Sequence, residues 1–487
     1  MARRAPVPAV PALAALLLAG LALAGCGSLI DTPFEQPAVT VPTAWRAPVP
    51  DSSAAATAPG LDRWWLAFGD PTLNALEAEA LARNNDLAAA TIAVRRALLE
   101  AGLAADAYLP HLDAGPDVTR STELSGSRTT TNSFSVGASV SYEVDLWGRL
   151  GSNLDAARWA ALASEQDRQA TALTLVGTTA TLYWNLLFLK ERIALAQASI
   201  AYAEQTLALA RTRLDAGAAS PLDVLEAQRS LEAQRATLSD FEQQLFETQS
   251  ALTILFDGPP EALAVEQATL PRGPLPEVEA GLPVELIGRR PDVRAAQLRL
   301  REDLADVDAT RASYFPTLSL TGSLGSSSIA LKDLLSNPIG TLGAGLVLPF
   351  LNFNQMQLDV AVSKTQYQSD VTTYRQTLYQ ALSDVENALS NRRNLAIQQQ
   401  HLQATLDAAR GAEQLHETRY REGAEQLQDW IDAQENRRTA EENLLQNRLD
   451  QLDNQVTLYQ ALGGGTGLAP AEDLTVPTTE ASAAPAQ

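Results

Sequence analysis

The chain has 487 residues, 46 % of them hydrophobic and 19 % charged, which excludes wholesale disorder and leaves room for two or three average domains or one extended one. Thirty-six Lys and Arg stand against 58 Asp and Glu, a formal charge of -22, so there is no basic footprint for a nucleic acid. A single cysteine, Cys26, excludes an internal disulfide or thiolate cluster, and the scattered His111, His401 and His416 lack metal-ligand spacing.

Arg3 and Arg4 precede an uncharged stretch over 5–25 whose apolar heart, 13–23, is too short to span a bilayer; 1–25 reads as a secretory signal. It ends in Leu23-Ala24-Gly25 directly before Cys26, which resembles a bacterial lipoprotein processing box, with Cys26 acylated as the new N-terminus. An ordinary buried cysteine behind a plain signal peptide is the alternative. By the same resemblance, Gly27 rather than Asp after Cys26 favours outer-membrane sorting. No second run of about 18 apolar residues follows, so no transmembrane helix is expected. Segment 26–62 is Pro/Ala-rich and reads as extended, as does the tail 465–487.

Sliding the sequence against itself by 206 positions brings several motifs into register. Tyr108-Leu109-Pro110 meets Tyr314-Phe315-Pro316, Arg213-Leu214-x-x-Gly217 meets Arg419-Tyr420-x-x-Gly423, and Ala227-Gln228 meets Ala433-Gln434. The chain is therefore a duplication, with repeats over 86–258 and 292–464 joined by a Pro-rich connector, 259–291, and preceded by a short segment, 63–85. Each repeat changes period twice. Phe134, Val136, Ala138, Val140, Tyr142 and Val144 alternate with Ser, Gly and Glu, predicting a hairpin over 111–146 whose first strand, through Leu112, Ala114 and Val118, alternates more weakly. Leu318, Leu320, Leu324, Leu342, Leu346 and Leu348 predict its counterpart over 317–350, with tips at 124–131 and 325–337. Helices are expected over 86–109, 149–214 and 221–256, and again over 292–313, 354–421 and 427–461. Leu186, Ile193, Ile200, Leu207 and Leu214 recur every seven residues, as do Val224, Leu231, Leu238, Leu245 and Leu252, so these are coiled coils. A helix of some 65 residues reaches roughly 100 Å, which no compact globule needs.

Alternating strands of about ten residues on an exported chain suit an outer-membrane barrel with lipid outside and water inside. Four strands cannot close one, since about eight or more are needed, so several chains must contribute. A soluble sandwich face would explain the alternation in isolation, but not the long helices or the lipid anchor. Trp64-Trp65 with Phe68-Gly69-Asp70-Pro71, Tyr142-Glu143-Val144-Asp145-Leu146-Trp147-Gly148-Arg149, Arg289-Arg290-Pro291-Asp292-Val293 and Tyr314-Phe315-Pro316-x-Leu318 together resemble a TolC-like outer membrane factor of the OprM-like lipoprotein branch. The resemblance implies a mainly α homotrimer with a twelve-stranded β-barrel shared by the three chains and an α-helical tunnel through the periplasm. It also implies a belt holding 63–85, the connector and the tail, a periplasmic adaptor, and an inner-membrane resistance-nodulation-division transporter. Outer membrane lipid is the remaining partner, and beyond a covalent lipid on Cys26 no cofactor is implied.

The turns at 215–221 and 421–426 lie farthest from the strands and should form the periplasmic tip. Gly217 and Gly423 can end helices with positive φ, and Ser220 can cap the next helix with Pro221 at its first position, which accounts for these residues structurally. By resemblance the same turns, with Arg213, Leu214, Leu222, Arg419 and Tyr420, dock the adaptor. Just inside, Glu226 and Asp432 occupy equivalent positions before Ala-Gln, and threefold symmetry makes each a ring of carboxylates that repels itself and attracts cations. Asp432 is the expected inner gate by resemblance, Glu226 a second ring, and Arg421 and Asp429 are expected in links that hold the tip shut; a solvated helix face is the bland alternative. No Ser/His/Asp set, phosphate-binding loop or carboxylate pair suggests catalysis, so an enzyme is not expected. The leading reading is a passive exit duct for drugs or other small amphiphiles. Alternatives are a duct for type I protein secretion and a lipid-anchored coiled-coil tether.

Overall fold

The computed structural model describes residues 32–47, 62–126, 128–260, 265, 267–278, 280–281 and 283–471. Cys26 and the leader lie outside them. After a 3-10 turn at Trp64–Phe68 come α1 (Pro71–Arg83), α2 (Asn85–Asp106), β1 (His111–Thr122), β2 (Thr130–Val144), α3 (Arg149–Asp215) and α4 (Pro221–Ile254). A short helical turn, Leu286–Arg289, leads to α5 (Pro291–Ala312), β3 (Thr317–Ser328), β4 (Pro338–Val347), α6 (Phe353–Glu422) and α7 (Leu427–Ala461). Asn85 and Pro291, His111 and Thr317, Pro221 and Leu427 each open equivalent elements, and each pair is 206 residues apart. The protein is mainly helical with one small sheet, built twice.

α3 and α6, of 67 and 70 residues, reach about 100 Å each. α2 and α4 pack on α3, and α7 packs on α6, so shorter helices lie along each long one. The large-small seam points inward as its heptads require: Leu186, Leu189, Ala196, Ala203, Leu207 and Ala210 are buried. α3 corrects one expectation. It contains an 18-residue window apolar enough to cross a membrane, but 72 % of that window is buried inside the protein, where Leu173, Val176, Ala180 and Trp184 face the neighbouring helices. The window is core.

The middle of the molecule explains the Trp-Trp and Phe-Gly-Asp-Pro motifs. Trp64 stacks on Tyr459 of α7 with ring centres 5.0 Å apart, and Phe68 packs on Trp184 of α3 at 5.5 Å. Asp70 caps α1 through the Thr72 and Leu73 amides at 2.9 and 3.1 Å, and its other oxygen accepts the Tyr183 hydroxyl at 2.8 Å. One small segment thereby ties α1 to both repeats. Residues 32–47 run extended along α6, where Arg46 and Ala47 amides donate to Glu386.

Candidate functional site

The four strands form one antiparallel sheet in the order β1-β2-β3-β4. Its register separates the side chains by character. Leu112, Val140, Gly322 and Leu342 form one row across it, Ala114, Ala138, Leu324 and Gly340 the next, and Tyr142, Leu320 and Ala344 another, all on one face. The opposite face carries Asp113, Ser139, Ser323 and Thr341, then Asp117, Ser135 and Ser327. The apolar face is bare: Leu342 is 92 % exposed and Leu112 71 %. A leucine-rich sheet open to water on that side and unpaired along β1 and β4 is unstable in solution but suited to lipid and to pairing with further strands.

At the foot of the sheet the strands turn into helices on built elbows. Trp147 donates to the Pro316 carbonyl at 2.9 Å and lies 4.9 Å from the Phe315 ring. Arg149 grips both Glu143 oxygens at 2.8 Å, and Asp145 accepts the Gly151 amide at 2.9 Å at the start of α3. Tyr108 sits beside Asp145, and burial, then that charge, pushes its hydroxyl up to about 12.

At the far end the two helix turns meet. Gly217 and Gly423 adopt φ of +72° and +79°, the left-handed geometry that ends α3 and α6. Ser220 and Asp223 form a reciprocal capping box on α4, whereas Gln426 makes no side-chain cap for α7. The second turn is held instead by packing. Trp430 stacks on Tyr420 at 5.4 Å and meets Tyr202 of α3 edge-on at 6.1 Å. The Arg213 guanidinium lies 4.7 Å over the Tyr420 ring and donates to the Tyr420 carbonyl, crossing from the first repeat to the second. The Tyr202 hydroxyl donates to Glu417 at 3.2 Å; burial, then the charges of Glu413 and Glu417, raise its pKa. Burial also raises the Glu413 carboxyl, with Arg437 at 2.5 Å acting against it.

The outer membrane efflux protein model matches residues 76–256 and 282–464, the two structural repeats. The chain belongs to the outer membrane efflux protein family. It is 35 % identical over 460 residues to the pyoverdine export outer membrane protein OpmQ of Pseudomonas aeruginosa, covering 92 % of this chain and 96 % of that one. It is 30 % identical over 467 residues to the probable efflux pump outer membrane protein TtgC of Pseudomonas putida, covering 93 % and 95 %. The open state of the Neisseria gonorrhoeae MtrE outer membrane channel superposes with a TM-score of 0.77 at 28 % identity, covering 89 % of this chain and 98 % of that one.

In this efflux protein the sequence-derived tip residues separate into two groups. Leu222 is 61 % exposed, and Gly217, Ser220, Arg419 and Gly423 are exposed as well; Leu225, which the sequence did not single out, is 63 % exposed beside Leu222. Tyr420 is only 4 % exposed, and Arg213 and Leu214 are half-buried, because the stack with Trp430 draws this part of the turn inward. Tyr420 is thus core within the chain. Asp432 is exposed on α7 and accepts Gln428 at 2.6 Å, while Glu226 is half-buried on α4. Arg421 pairs with Glu417 at 2.7 Å, one turn back on α6, so within one chain it is not the partner of exposed Asp429. Sequence reasoning missed Tyr202, Glu417 and Trp430; the one signal available was an aromatic residue, Trp430, directly after a turn. The Arg-Arg-Pro-Asp motif stands at a helix start. Arg290 does precede α5, but it also bonds Asp292 at 2.7 Å and Asp384 of α6 at 3.1 Å. Burial would raise the Asp292 carboxyl; Arg290 outweighs it and holds the group below its ordinary range.

Proposed function

We propose that three copies of this outer membrane efflux protein form a passive duct for small amphiphiles, fed by a periplasmic adaptor and an inner-membrane resistance-nodulation-division transporter. The bare apolar face with open edges at β1 and β4 carries this reading. Four strands are too few to close a barrel, and three chains give twelve. The helices supply matching edges: Ile92, Leu99 and Leu103 form an exposed stripe on α2, and Leu358 and Val362 one on α6, each an apolar surface with no partner in its own chain. Strands of 12 residues tilted as in membrane barrels rise roughly 30 Å, enough for the hydrocarbon layer.

Within the assembly, the exposed Leu222, Leu225 and Arg419 are the surface offered to the adaptor, and three copies each of Asp432 and Glu226 ring the passage inside the tip. Such rings favour cations and resist opening only as far as links such as those of Arg421 and Asp429 between chains hold them together. The duct itself performs no chemistry, and the transporter supplies the energy. Cys26 carries the lipid in this reading; Thr32 lies against the membrane end of α5, which suits an anchor six residues upstream. Cys26→Ala should abolish labelling by palmitate, and unchanged labelling refutes the assignment.

Accumulation of a panel of fluorescent amphiphiles in a deletion strain and its complemented control tests the cargo. Raised accumulation reversed by the gene supports amphiphile efflux; unchanged accumulation across the panel removes it. The similarity to OpmQ favours a second reading, a siderophore of the pyoverdine kind, which loss of secreted siderophore in the same strain would distinguish.

A further inference from the structure

Where the two repeats meet in the middle of the molecule, α3, α6, the end of α7 and the start of α5 enclose a cavity of about 480 Å³, a volume that suits a drug-sized ligand. Its charged groups are Arg290, Asp292 and Asp384, two carboxylates against one guanidinium that already bonds both of them and the Ala461 carbonyl. Its amides already use their donors. Asn454, only 9 % exposed, gives its Nδ2 to the Ala388 carbonyl at 3.0 Å, Gln460 its Nε2 to the Leu173 carbonyl at 3.1 Å, and Asn387 its Nδ2 to Ser383 at 3.3 Å. Among the described residues no donor reaches the side-chain carbonyl oxygen of any of the three, so what they have left to offer is acceptors. The helix ends agree. Asp292 takes the Val293 amide in the first turn of α5 at 2.9 Å, which answers the positive end of that helix within the chain, whereas α7 brings its negative end here. Much of the remaining wall is apolar, with Ala170, Leu173, Pro291, Ala388 and Ala461.

The side on which the cavity opens follows from the helical turn of about 100° per residue. On α6 the extended residues 32–47 are bound through Tyr379 and Glu386, and Asp384, Asn387 and Asn391 lie on the other side of the helix. On α7, Arg448 and Gln455 hold the connector at the Pro271 and Pro276 carbonyls, and Thr457 and Gln460 lie on the other side. The connector also takes bonds from Lys190 of α3 and Arg392 of α6. A segment that crosses three helices belongs outside a tube, since inside it would block the passage, so the cavity opens inward. Asp453 and Asp450, one and two turns toward the tip from Thr457 on the same side of α7, continue its acceptors downward. We propose that the cavity is a holding site in the wall of the duct for a protonated amine on an apolar body, the ammonium against Asp384 and the carbonyl oxygens of Asn454 and Gln460, the body on Leu173 and Ala461. An ammonium brings several N–H donors and the charge that balances the second carboxylate, whereas an anion would meet only oxygen lone pairs. That the site meets cargo in transit rests on the duct proposed above; the site itself is complete within one chain.

The test uses the full chain purified from outer membranes in detergent. Equilibrium dialysis against tritiated propranolol, a secondary ammonium on a naphthyl ring, and against naphthyloxyacetic acid, a carboxylate on the same ring, is corrected with protein-free micelles. The expected result is saturable binding of the amine at one site per chain and none of the acid. Asp384→Asn should weaken the amine about tenfold, as for loss of one charged hydrogen bond. Because that change also disturbs Arg290, a second variant, Thr174→Trp, fills the cavity from an exposed position on its rim and should abolish saturable binding. Asp407→Asn, at an exposed carboxylate lower on α6, should leave it unchanged. No saturable binding, equal binding of the acid, undiminished affinity in Asp384→Asn, or binding that survives Thr174→Trp overturns the site. Conductance of the same preparation in a planar bilayer separates the two readings. Protein that conducts but does not bind the amine overturns the holding site alone, and protein that binds but does not conduct supports the site and overturns its place in a duct.

Discussion

Removing the Arg213 side chain should loosen the tip. Arg213 is the one described side chain of α3 that both stacks on the α6 turn and hydrogen-bonds its backbone, over the ring and at the carbonyl of Tyr420. A half-buried cation–π contact contributes about 1 kcal/mol and a hydrogen bond from a charged donor about 1.5. Allowing for overlap, Arg213→Ala forgoes about 2 kcal/mol of α3–α6 attachment, a shift of about 30-fold in the balance between tied and released turns. In the proposed duct the tip opens as the α6–α7 turn leaves α3, and on that reading the open fraction of single channels in a planar bilayer should rise by that order. Arg211→Ala, at an exposed position two residues away, should leave it unchanged. The measurement contains no adaptor, so loss of docking cannot imitate the result. Wild-type open fraction with a lowered melting temperature would refute the reasoning, making the contact a contributor to stability alone.

Asp453→Asn should stabilise the protein only above mildly acidic pH. Burial, then the charge of Asp450, raises the Asp453 carboxyl from 3.8 to about 7, so the unfolded chain releases this proton above about pH 4 while the folded one keeps it. Stability is then full below pH 4 and falls by about 1.4 kcal/mol per pH unit up to pH 7, about 4 kcal/mol in all. Melting curves of variant and parent should coincide at pH 4 and separate at pH 8; a variant less stable at both values contradicts this. Asp432→Ala should raise single-channel conductance or lower cation selectivity, and no change in either removes Asp432 from the gate. Trp64→Ala, which empties the fully buried stack on Tyr459, should cost about 3–5 kcal/mol, and a melting temperature within a degree or two of the parent would show that the middle of the molecule repacks.

Long-range order was the most legible part of the fold, because a shared shift of 206 residues does not depend on any single element being recognised. Local order was legible where one face is uniform, as on β2. On β1, Gly115, Pro116 and Asp117 interrupt the alternation, and only pairing with Gly137, Val136 and Ser135 makes the segment a strand. Ser326, Ser327 and Ser328 read by composition as a hairpin tip, yet they extend β3 opposite Val136, Ser135 and Phe134. A polar run can be strand when both faces tolerate water or lipid and the partner strand supplies the hydrogen bonds. At the tip, position along the chain marked the turns, but which side of a turn faces in depends on the α3–α6 crossing, and no periodicity in either helix encodes it. The burial of Tyr420 was not legible for that reason, and Arg421 found Glu417 on its own helix because an i,i+4 partner is always within reach.

Duplication also explains why the two halves of the tip are not equivalent. The first turn is closed locally, since Ser220 and Asp223 satisfy each other's backbone amides and Pro221 fixes the first residue of α4. At the second, Gln426 stands where Ser220 does, no side chain caps α7, and order comes from the Tyr420–Trp430 stack across the turn together with the packing of both rings against the first repeat. A turn held by its own cap keeps its shape wherever it goes. One held by contacts to a neighbour keeps its shape only while the neighbour is there. The second turn is therefore the half whose conformation is coupled to separation from α3, so the side chains at that seam, not the capping residues, should govern opening.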